Sequence, residues 1–295
     1  MPFSLIQPLF SIPIACVDVE TTGASAEFGD RIVEIGIVRY ENGQKAAEYQ
    51  QLIDPRRRIS PGATALTGIT QAMCDGQPTF SQQLAAMSPL LAGAAVLGHN
   101  VRFDLSFLAR EFRAAGQDIC QTLNSPHVFD TVRIARRRFG RGGNGLGSLA
   151  RRLGYEPPNA HRALPDALTT AVIFDLLLSA VGGWNISLCD VLKEQGGPMS
   201  LLPASARESL LPLELEEALD HRRPVLMEYL DAGQTRTRRV VDPIEVRRIA
   251  GELVLIAHCH LRNDRRNFKL DRIVQLSRID PADAGCSLNL VPGDI

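Results

Sequence analysis

The chain has 295 residues, 45% hydrophobic and 22% charged, with a net charge of −1 from 32 basic and 33 acidic side chains. Such a composition fits a globular protein with room for one large and one small domain, and excludes disordered, collagen-like and disulfide-dense classes. No apolar run approaches the ~18 residues of a membrane helix and residues 1 to 13 carry no basic leader, so a cytoplasmic protein without a membrane partner is expected.

Charge is segregated along the chain: residues 1 to 182 carry a net +1, residues 183 to 220 a net −5 and residues 221 to 295 a net +3. An acidic connector therefore separates two domains. The six cysteines are scattered without a Cys-x-x-Cys pair and read as reduced thiols. His258-Cys259-His260 alternates along a strand and lacks the second ligand pair of a zinc site.

Residues 14 to 17 read as a buried strand that ends in Asp18 and Glu20. Side chains two apart on a strand share a face, so the two carboxylates repel each other unless a cation lies between them. All-oxygen ligands suit a hard ion such as Mg²⁺ or Mn²⁺. Residues 31 to 40 alternate as a second strand, Glu41-Asn-Gly43 signals a hairpin, and residues 46 to 53 read as an antiparallel third strand. Asp30 and Glu34 read as turn and surface charges. Leu66-Thr-Gly-Ile-Thr70 reads as a loop feeding a short helix.

Ser81 is placed as the cap of a helix with Leu84, Met87, Leu90 and Leu91 on one face, and residues 94 to 97 as a short buried strand. Gly98-His-Asn100 then turns into a helix with Asp104 in its first turns and Phe103, Phe107 and Leu108 pointing inward. Asp104 is a third candidate ligand, though an Asp at this place also serves the helix dipole. Residues 130 to 139 read as a basic helix with Arg133, Arg136, Arg137 and Arg138, whose face suits either a phosphate backbone or solvent. Gly140, Gly142 and Gly145 match G-x-G-x-x-G, but a helix precedes them where a dinucleotide site needs a strand. A second helix begins near Leu146. His161-Arg-Ala-Leu-Pro165-Asp166 leads into an apolar core helix over 171 to 181, with Pro165 in its first turn, His161 on the loop and Asp166 beside it.

Three segments together carry a resemblance: Val17-Asp18-Val-Glu20-Thr-Thr-Gly23, Gly98-His-Asn-Val-Arg-Phe-Asp104 and His161-Arg-Ala-Leu-Pro-Asp166-Ala167. In order and spacing, residues 12 to 182 resemble the DEDDh exonucleases, the family of proofreading epsilon subunits. Pro165 stands where relatives more often have a small residue. The resemblance implies an α/β, ribonuclease H-like domain over residues 1 to 182, a mixed sheet flanked by helices. It also implies 3′-to-5′ hydrolysis of single-stranded DNA or RNA, DNA being favoured, with release of nucleoside monophosphates. Asp18, Glu20, Asp104 and Asp166 would hold two divalent metal ions, Mg²⁺ or Mn²⁺, which stabilise the attacking and leaving oxygens. His161, with an ordinary pKa of about 6.5, would take the proton of the attacking water. Thr21, Thr22, Gly23 and Phe103 are expected to contact the terminal nucleotide, Phe103 by stacking.

Residues 183 to 212 read as an acidic Gly/Pro-containing linker, helical at first, with apolar Leu201 and Leu202 suited to docking. A helix over 214 to 222 and strands over 225 to 230, 235 to 241, 245 to 249, 253 to 261 and 267 to 276 imply a small β-barrel. Val225-Leu-Met-Glu-Tyr229, Arg238-Arg-Val-Val-Asp-Pro243 and Arg265-Arg-Asn-Phe268-Lys-Leu-Asp-Arg272 resemble the WYL domain, an Sm-like barrel, over residues 213 to 282, followed by a tail over 283 to 295. The Trp-Tyr-Leu of that family is replaced by Leu253-Val254-Leu255. The resemblance implies a nucleic-acid or nucleotide ligand held by Arg238, Arg266 and Arg272, whose guanidinium forks suit phosphate. A solvated face with salt bridges is the alternative. Two rival functions stand beside the free exonuclease: proofreading within a polymerase complex, and a nucleic-acid-binding regulator with a vestigial site. All five catalytic positions being present argues against the second.

Overall fold

The structure, a computed structural model, describes residues 3–125, 127–158, 161–201, 211–250 and 252–279. Residues 202 to 210 of the linker, Leu202 among them, and the tail over 283 to 295 lie outside the described residues. The chain forms two compact units, Met1–Arg58 with Gln71–Leu210 and Ile59–Thr70 with Leu211–Ile295. In chain order the helices are α1 (Pro61–Thr67), α2 (Gln71–Cys74), α3 (Phe80–Leu91), α4 (Arg102–Ala114), α5 (Ile119–Leu123), α6 (Thr131–Phe139), α7 (Leu146–Arg152), α8 (Ala163–Ser179), α9 (Leu188–Glu194) and α10 (Leu213–His221). Among the described residues no helix is long and apolar enough to cross a membrane.

The first unit is built on β1 (Ile14–Thr21), β2 (Ile32–Glu41), β3 (Gln44–Leu52), β4 (Ala95–Gly98) and β5 (Val128–Asp130), in the order β3-β2-β1-β4-β5. β1 runs antiparallel to β2 and parallel to β4, the mixed sheet expected. The β2–β3 hairpin turns at Asn42 and Gly43, both left-handed with φ of 52° and 72°, as the twist of paired strands favours. β1 is covered on both faces. Ala15, Val17 and Val19 pack into a core with α3, α4 and α5, while Ile14 and Cys16 pack into another with α6, α7, α8 and α9. The same alternation sends Asp18 and Glu20 to the α8 side.

α8 can start against the sheet because β2 carries Gly36. A Cβ there would lie 2.4 Å from the carbonyl carbon of Ala163 and the nitrogen of Leu164. Gly36 is the register partner of Asp18, and Glu34 that of Glu20, so β2 sets the distance between α8 and the carboxylate pair.

Some local expectations change. Thr79, not Ser81, caps α3, its N–H donating to Gln82 Oε1 at 2.8 Å in a capping box. Residues 61 to 67 are helical, and Gly68 ends α1 in the left-handed conformation. Met199 and Leu201 pack into the core of α3, α4 and α5. The five cysteines among the described residues are unpaired.

The second unit contains β6 (Val225–Leu230), β7 (Arg236–Ile249), β8 (Glu252–Cys259), β9 (Asp264–Lys269) and β10 (Ile273–Arg278), an antiparallel sheet in the order β10-β6-β7-β8-β9. Leu215 and Ala218 of α10 pack on it with Met227, Val241, Leu255 and Phe268. The edge strands β9 and β10 are not paired with each other among the described residues, so the closure that a barrel requires is not made. The residues expected as two strands over 235 to 249 form the single β7. Its register shifts between Pro243 and Glu245, which accommodates a proline with no N–H to donate. The expected last strand is instead split by a 3₁₀ turn, Leu270–Arg272. α1 packs against that turn and β10. Gly62 permits the approach, since a Cβ there would meet the carbonyl oxygens of Ile273 and Asp271 at 2.6 and 2.7 Å.

Candidate active site

Asp18 and Glu20 leave the end of β1 toward α8, and Asp166 leaves the first turn of α8 toward them. One carboxylate oxygen of each lies within 4.8 Å of the others, with Asp18 and Glu20 half-buried and Asp166 buried. It is the one such cluster among the described residues. Burial first, and then the charges of Asp104, Glu20 and Asp166, hold the Asp18 carboxyl well above the usual carboxylate range. Glu20 is raised in the same way, by burial and then by Asp166 and Glu34, with Arg162 opposing. Asp166 is pushed up to about 6 by burial, against a hydrogen bond from the His161 N–H. Three close oxygen donors, each with its pKa raised, form a donor set suited to a hard divalent cation, whose charge offsets their repulsion.

Asp104 stands beside the cluster on α4, buried, its Oδ1 accepting from the Val19 N–H at 3.0 Å. Burial pushes it up to about 8, against that hydrogen bond. The turn that presents it is held by Asp130, whose Oδ1 accepts from the N–H groups of Asn100 and Val132 at 3.0 and 2.9 Å. β5 brings Asp130 there. With only three residues, VFD, and no alternation, it gave no periodic signal.

His161 precedes α8 in the left-handed conformation, φ 64°. Its N–H donates to Asp166 Oδ2 at 3.1 Å, and burial lowers its pKa from the ordinary value. Arg162 pairs with Glu34 through Nε–Oε2 at 2.9 Å and Nη2–Oε1 at 2.5 Å, and the Ala163 N–H donates to Glu34 Oε2 at 3.0 Å. Glu34, expected on the surface, is wholly buried at 0% exposure. β2 is covered on both faces, and the cost of burying the carboxylate is met by Arg162, Ala163 and the Gln50 amide at 2.9 Å.

The segment after Glu20 is tied into a turn. Thr21 Oγ1 donates to the Gly23 carbonyl at 2.6 Å, and Thr22 Oγ1 donates to Asp30 Oδ1 at 3.0 Å while accepting from the Arg31 N–H at 3.1 Å. Thr21 and Thr22 are buried at 8% and 1% exposure, so their side chains hold the turn. Gly23 lies against Asp30, whose carboxylate a Cβ would meet at 2.6 Å. Phe103 is half-buried and packs against Phe107 at a ring separation of 4.9 Å.

The basic helix α6 spends part of its charge on structure: Arg133 donates to the Gly196 carbonyl at 3.1 Å and Arg138 to the Leu177 carbonyl at 2.5 Å. In the second unit Arg238 sits 3.4 Å from Glu228, which also pairs with Arg236. Arg239, the next residue, lies on the opposite face over the Phe268 ring at 5.9 Å. Arg266 is exposed, the register partner of the core residue Ala257 and two residues from Phe268. Arg266 thus shares a face with Arg239, which the motif reading passed over, while Arg238 lies on the other face. Arg272 is in the 3₁₀ turn.

Comparison with known proteins gives the family. The profile of the family described as Exonuclease matches residues 15–174, and that of the WYL domain residues 212–278. The chain is 36% identical over 159 residues to the 3′-5′ exonuclease DinG of Bacillus subtilis, an alignment covering 54% of this chain and 17% of that protein. It is 36% identical over 179 residues to a DNA polymerase III subunit epsilon-like protein of Rhodobacter capsulatus, covering 59% and 25%. The match thus spans a quarter or less of either relative's length. Among solved structures, the nuclease domain of 3′hExo, a DEDDh family member bound to rAMP, is 19% identical with a TM-score of 0.51, covering 61% of this chain and 97% of that one. E. coli exonuclease I in complex with a dT13 oligonucleotide is 16% identical with a TM-score of 0.51, covering 95% and 69%. At these identities the likeness is one of fold, the ribonuclease H-like fold of exonucleases. With one family's profile over more than half of its length and a second over its C-terminal strands, the chain belongs to the exonuclease family and carries a WYL domain.

Proposed function

We propose that the chain is a 3′-to-5′ exonuclease that hydrolyses single-stranded nucleic acid, DNA in preference to RNA, and releases nucleoside 5′-monophosphates. The observation that carries this reading is the convergence of Asp18, Glu20 and Asp166 within 4.8 Å, with His161 bonded through its backbone to Asp166. Asp18, Glu20 and Asp166, with Asp104 beside them, would hold two divalent ions, Mg²⁺ or Mn²⁺. Bound there, such ions supply charge stabilisation to the attacking and leaving oxygens of an in-line displacement.

The side chains do the rest. His161, its pKa lowered by burial, is neutral near pH 7 and takes the proton of the attacking water. Asp166 fixes the backbone of that histidine. Phe103, half-buried at the start of α4, would stack on the terminal base, and the turn over Thr21, Thr22 and Gly23, tied by its own hydrogen bonds, would lie against the terminal nucleotide. A single strand is favoured because a paired terminus must first be unstacked, at a cost of a few kcal/mol. In the second unit, Arg238, Arg266 and Arg272 would supply charge-assisted donors to a strand or nucleotide phosphate. Proofreading within a polymerase assembly is a second reading, favoured by the epsilon-like relative; a partner co-purifying at fixed stoichiometry would support it.

The test is degradation of 5′-labelled and 3′-labelled single-stranded DNA and RNA with Mg²⁺, Mn²⁺ or EDTA. The reading predicts an EDTA-sensitive ladder from the 5′-labelled strand and immediate loss of label from the 3′-labelled one. Intact strands under every condition would overturn it.

A further inference from the structure

We infer that Glu34, acting through Arg162, is a positioning residue of this active site: it holds the start of α8 so that His161 and Asp166 meet the carboxylates of β1. The inference rests on the exonuclease reading above and adds a residue that contacts neither the substrate nor the acid cluster's donor set.

Glu34 accepts from Arg162 Nε at 3.2 and 2.9 Å, from Arg162 Nη2 at 2.5 Å, from the Ala163 N–H at 3.0 Å and from the Gln50 amide at 2.9 Å. Its oxygens are fully engaged, so it is not a further metal ligand. The bond to the Ala163 N–H has a particular meaning. α8 begins at Ala163, its N-cap residue is Arg162, and Arg162 makes no side-chain cap to its own helix. The first orphan N–H of α8 is instead satisfied from β2, by a carboxylate placed where a helix N-terminus favours negative charge.

From the other side, the His161 N–H donates to Asp166 at 3.1 Å and the Asp166 N–H to the Arg162 carbonyl at 3.0 Å. Glu34 thus grips Arg162 and Ala163, Asp166 grips His161, and the left-handed His161 lies between the two grips. A non-glycine residue at φ 64° persists only where its surroundings over-determine it. Electrostatics adds a second reason for the pair. Glu34 is the cross-strand partner of Glu20, and like charges directly opposite destabilise a sheet. Arg162 neutralises Glu34 and leaves Glu20 free to act with Asp18 and Asp166.

The experiment compares wild type, E34Q, R162A and the double variant on thymidine 5′-monophosphate p-nitrophenyl ester, a substrate too small to need the rest of a strand, with folding followed by circular dichroism. The expected result is a kcat lowered about 10- to 100-fold in each single variant, the scale of losing an orienting partner, with KM within about twofold. The double variant should be no worse than the poorer single one, because the pair acts as a unit, and guanidinium ion should partly restore R162A. Should E34Q or R162A fail to fold, the double variant carries the test, since it removes both members of the pair and leaves no unpaired charge on the buried side chain; a kcat within twofold of wild type in it would overturn the inference. A kcat within twofold of wild type in folded E34Q or folded R162A, or losses that multiply in the double variant, would overturn the inference. A wild-type protein that does not hydrolyse the ester or a labelled strand would instead overturn the exonuclease reading, so the two failures are distinct.

Discussion

Gly36→Ala is the smallest change that reports on how the site is assembled. The new Cβ would lie 2.4 Å from the Ala163 carbonyl carbon and the Leu164 nitrogen and 2.5 Å from the Ala163 oxygen, all backbone atoms. Carbon contacts relax at about 3.5 Å, so α8 must retreat from β2 by about 1 Å. Overpacking of this kind costs about 1–3 kcal/mol, and for a domain of this size each kcal/mol lowers Tm by about 2–4 °C. The functional effect is expected to be larger than the thermal one, because a misplacement of about 1 Å in a reacting constellation costs roughly 10²-fold in rate. Calorimetry with steady-state hydrolysis of a 5′-labelled oligonucleotide measures both quantities. A G36A protein with Tm within about 1 °C and kcat within twofold of wild type would refute the claim that β2 sets the position of His161 and Asp166.

Other outcomes follow from the same geometry. Asp18→Asn should lower hydrolysis by about 10²-fold or more, and because burial and its acidic neighbours oppose ionisation of Asp18, the Tm of the metal-free variant relative to wild type should rise as pH rises; a difference that shrinks with rising pH in calorimetry would contradict this. Asp104 and Asp166 have folded pKa values of about 8 and about 6, above an unfolded value of about 3.9. The folded state therefore binds more protons between these limits, and metal-free stability, full below about pH 4, falls as pH rises through 6 and 8. Thermal unfolding from pH 5 to 8 checks that slope, and the Tm gain from Mn²⁺ should be larger at pH 8 than at pH 5, because metal binding competes with fewer protons at the higher pH. Because burial lowers the His161 pKa, the acid limb of the kcat profile should lie below about pH 6.5, and His161→Ala should lower kcat by about 10²- to 10⁴-fold. Arg266→Ala and Arg272→Ala should each reduce the slope of log affinity against log salt for a long single strand by about 1, if these arginines contact phosphates; an unchanged slope would assign them to the surface.

Much of the site could be read from sequence because the groups that meet there lie on short, regular pieces of chain. Asp18 and Glu20 are two apart on a strand, and Asp166 is in the first turn of a helix, so local geometry alone gave the face of each. What escaped was set by the third dimension. Glu34 sits among apolar residues on a strand buried on both faces, where alternation no longer separates inside from outside, and its partner Arg162 is 128 residues away. Gly36 has no side chain and betrays itself only through what lies against it. The strands expected over 235 to 241 and 245 to 249 lie on either side of Pro243, where a register shift lets β7 continue as one strand. Five strands in sequence suggested a barrel, whereas closure depends on pairing β9 with β10, which no local pattern encodes. The grouping of α1 with the C-terminal strands follows from the close approach at Gly62, again a tertiary contact.

The central claim, that the acid cluster directs water onto the phosphodiester bond at a free 3′ end, is tested most directly by hydrolysis in H₂¹⁸O with mass analysis of the products. The predicted result is one ¹⁸O in the phosphate of each released nucleoside 5′-monophosphate, none in the shortened strand, and no product from the Asp18→Asn variant. Release of 3′-monophosphates or internal fragments, or 5′-monophosphates without the heavy oxygen, would contradict it.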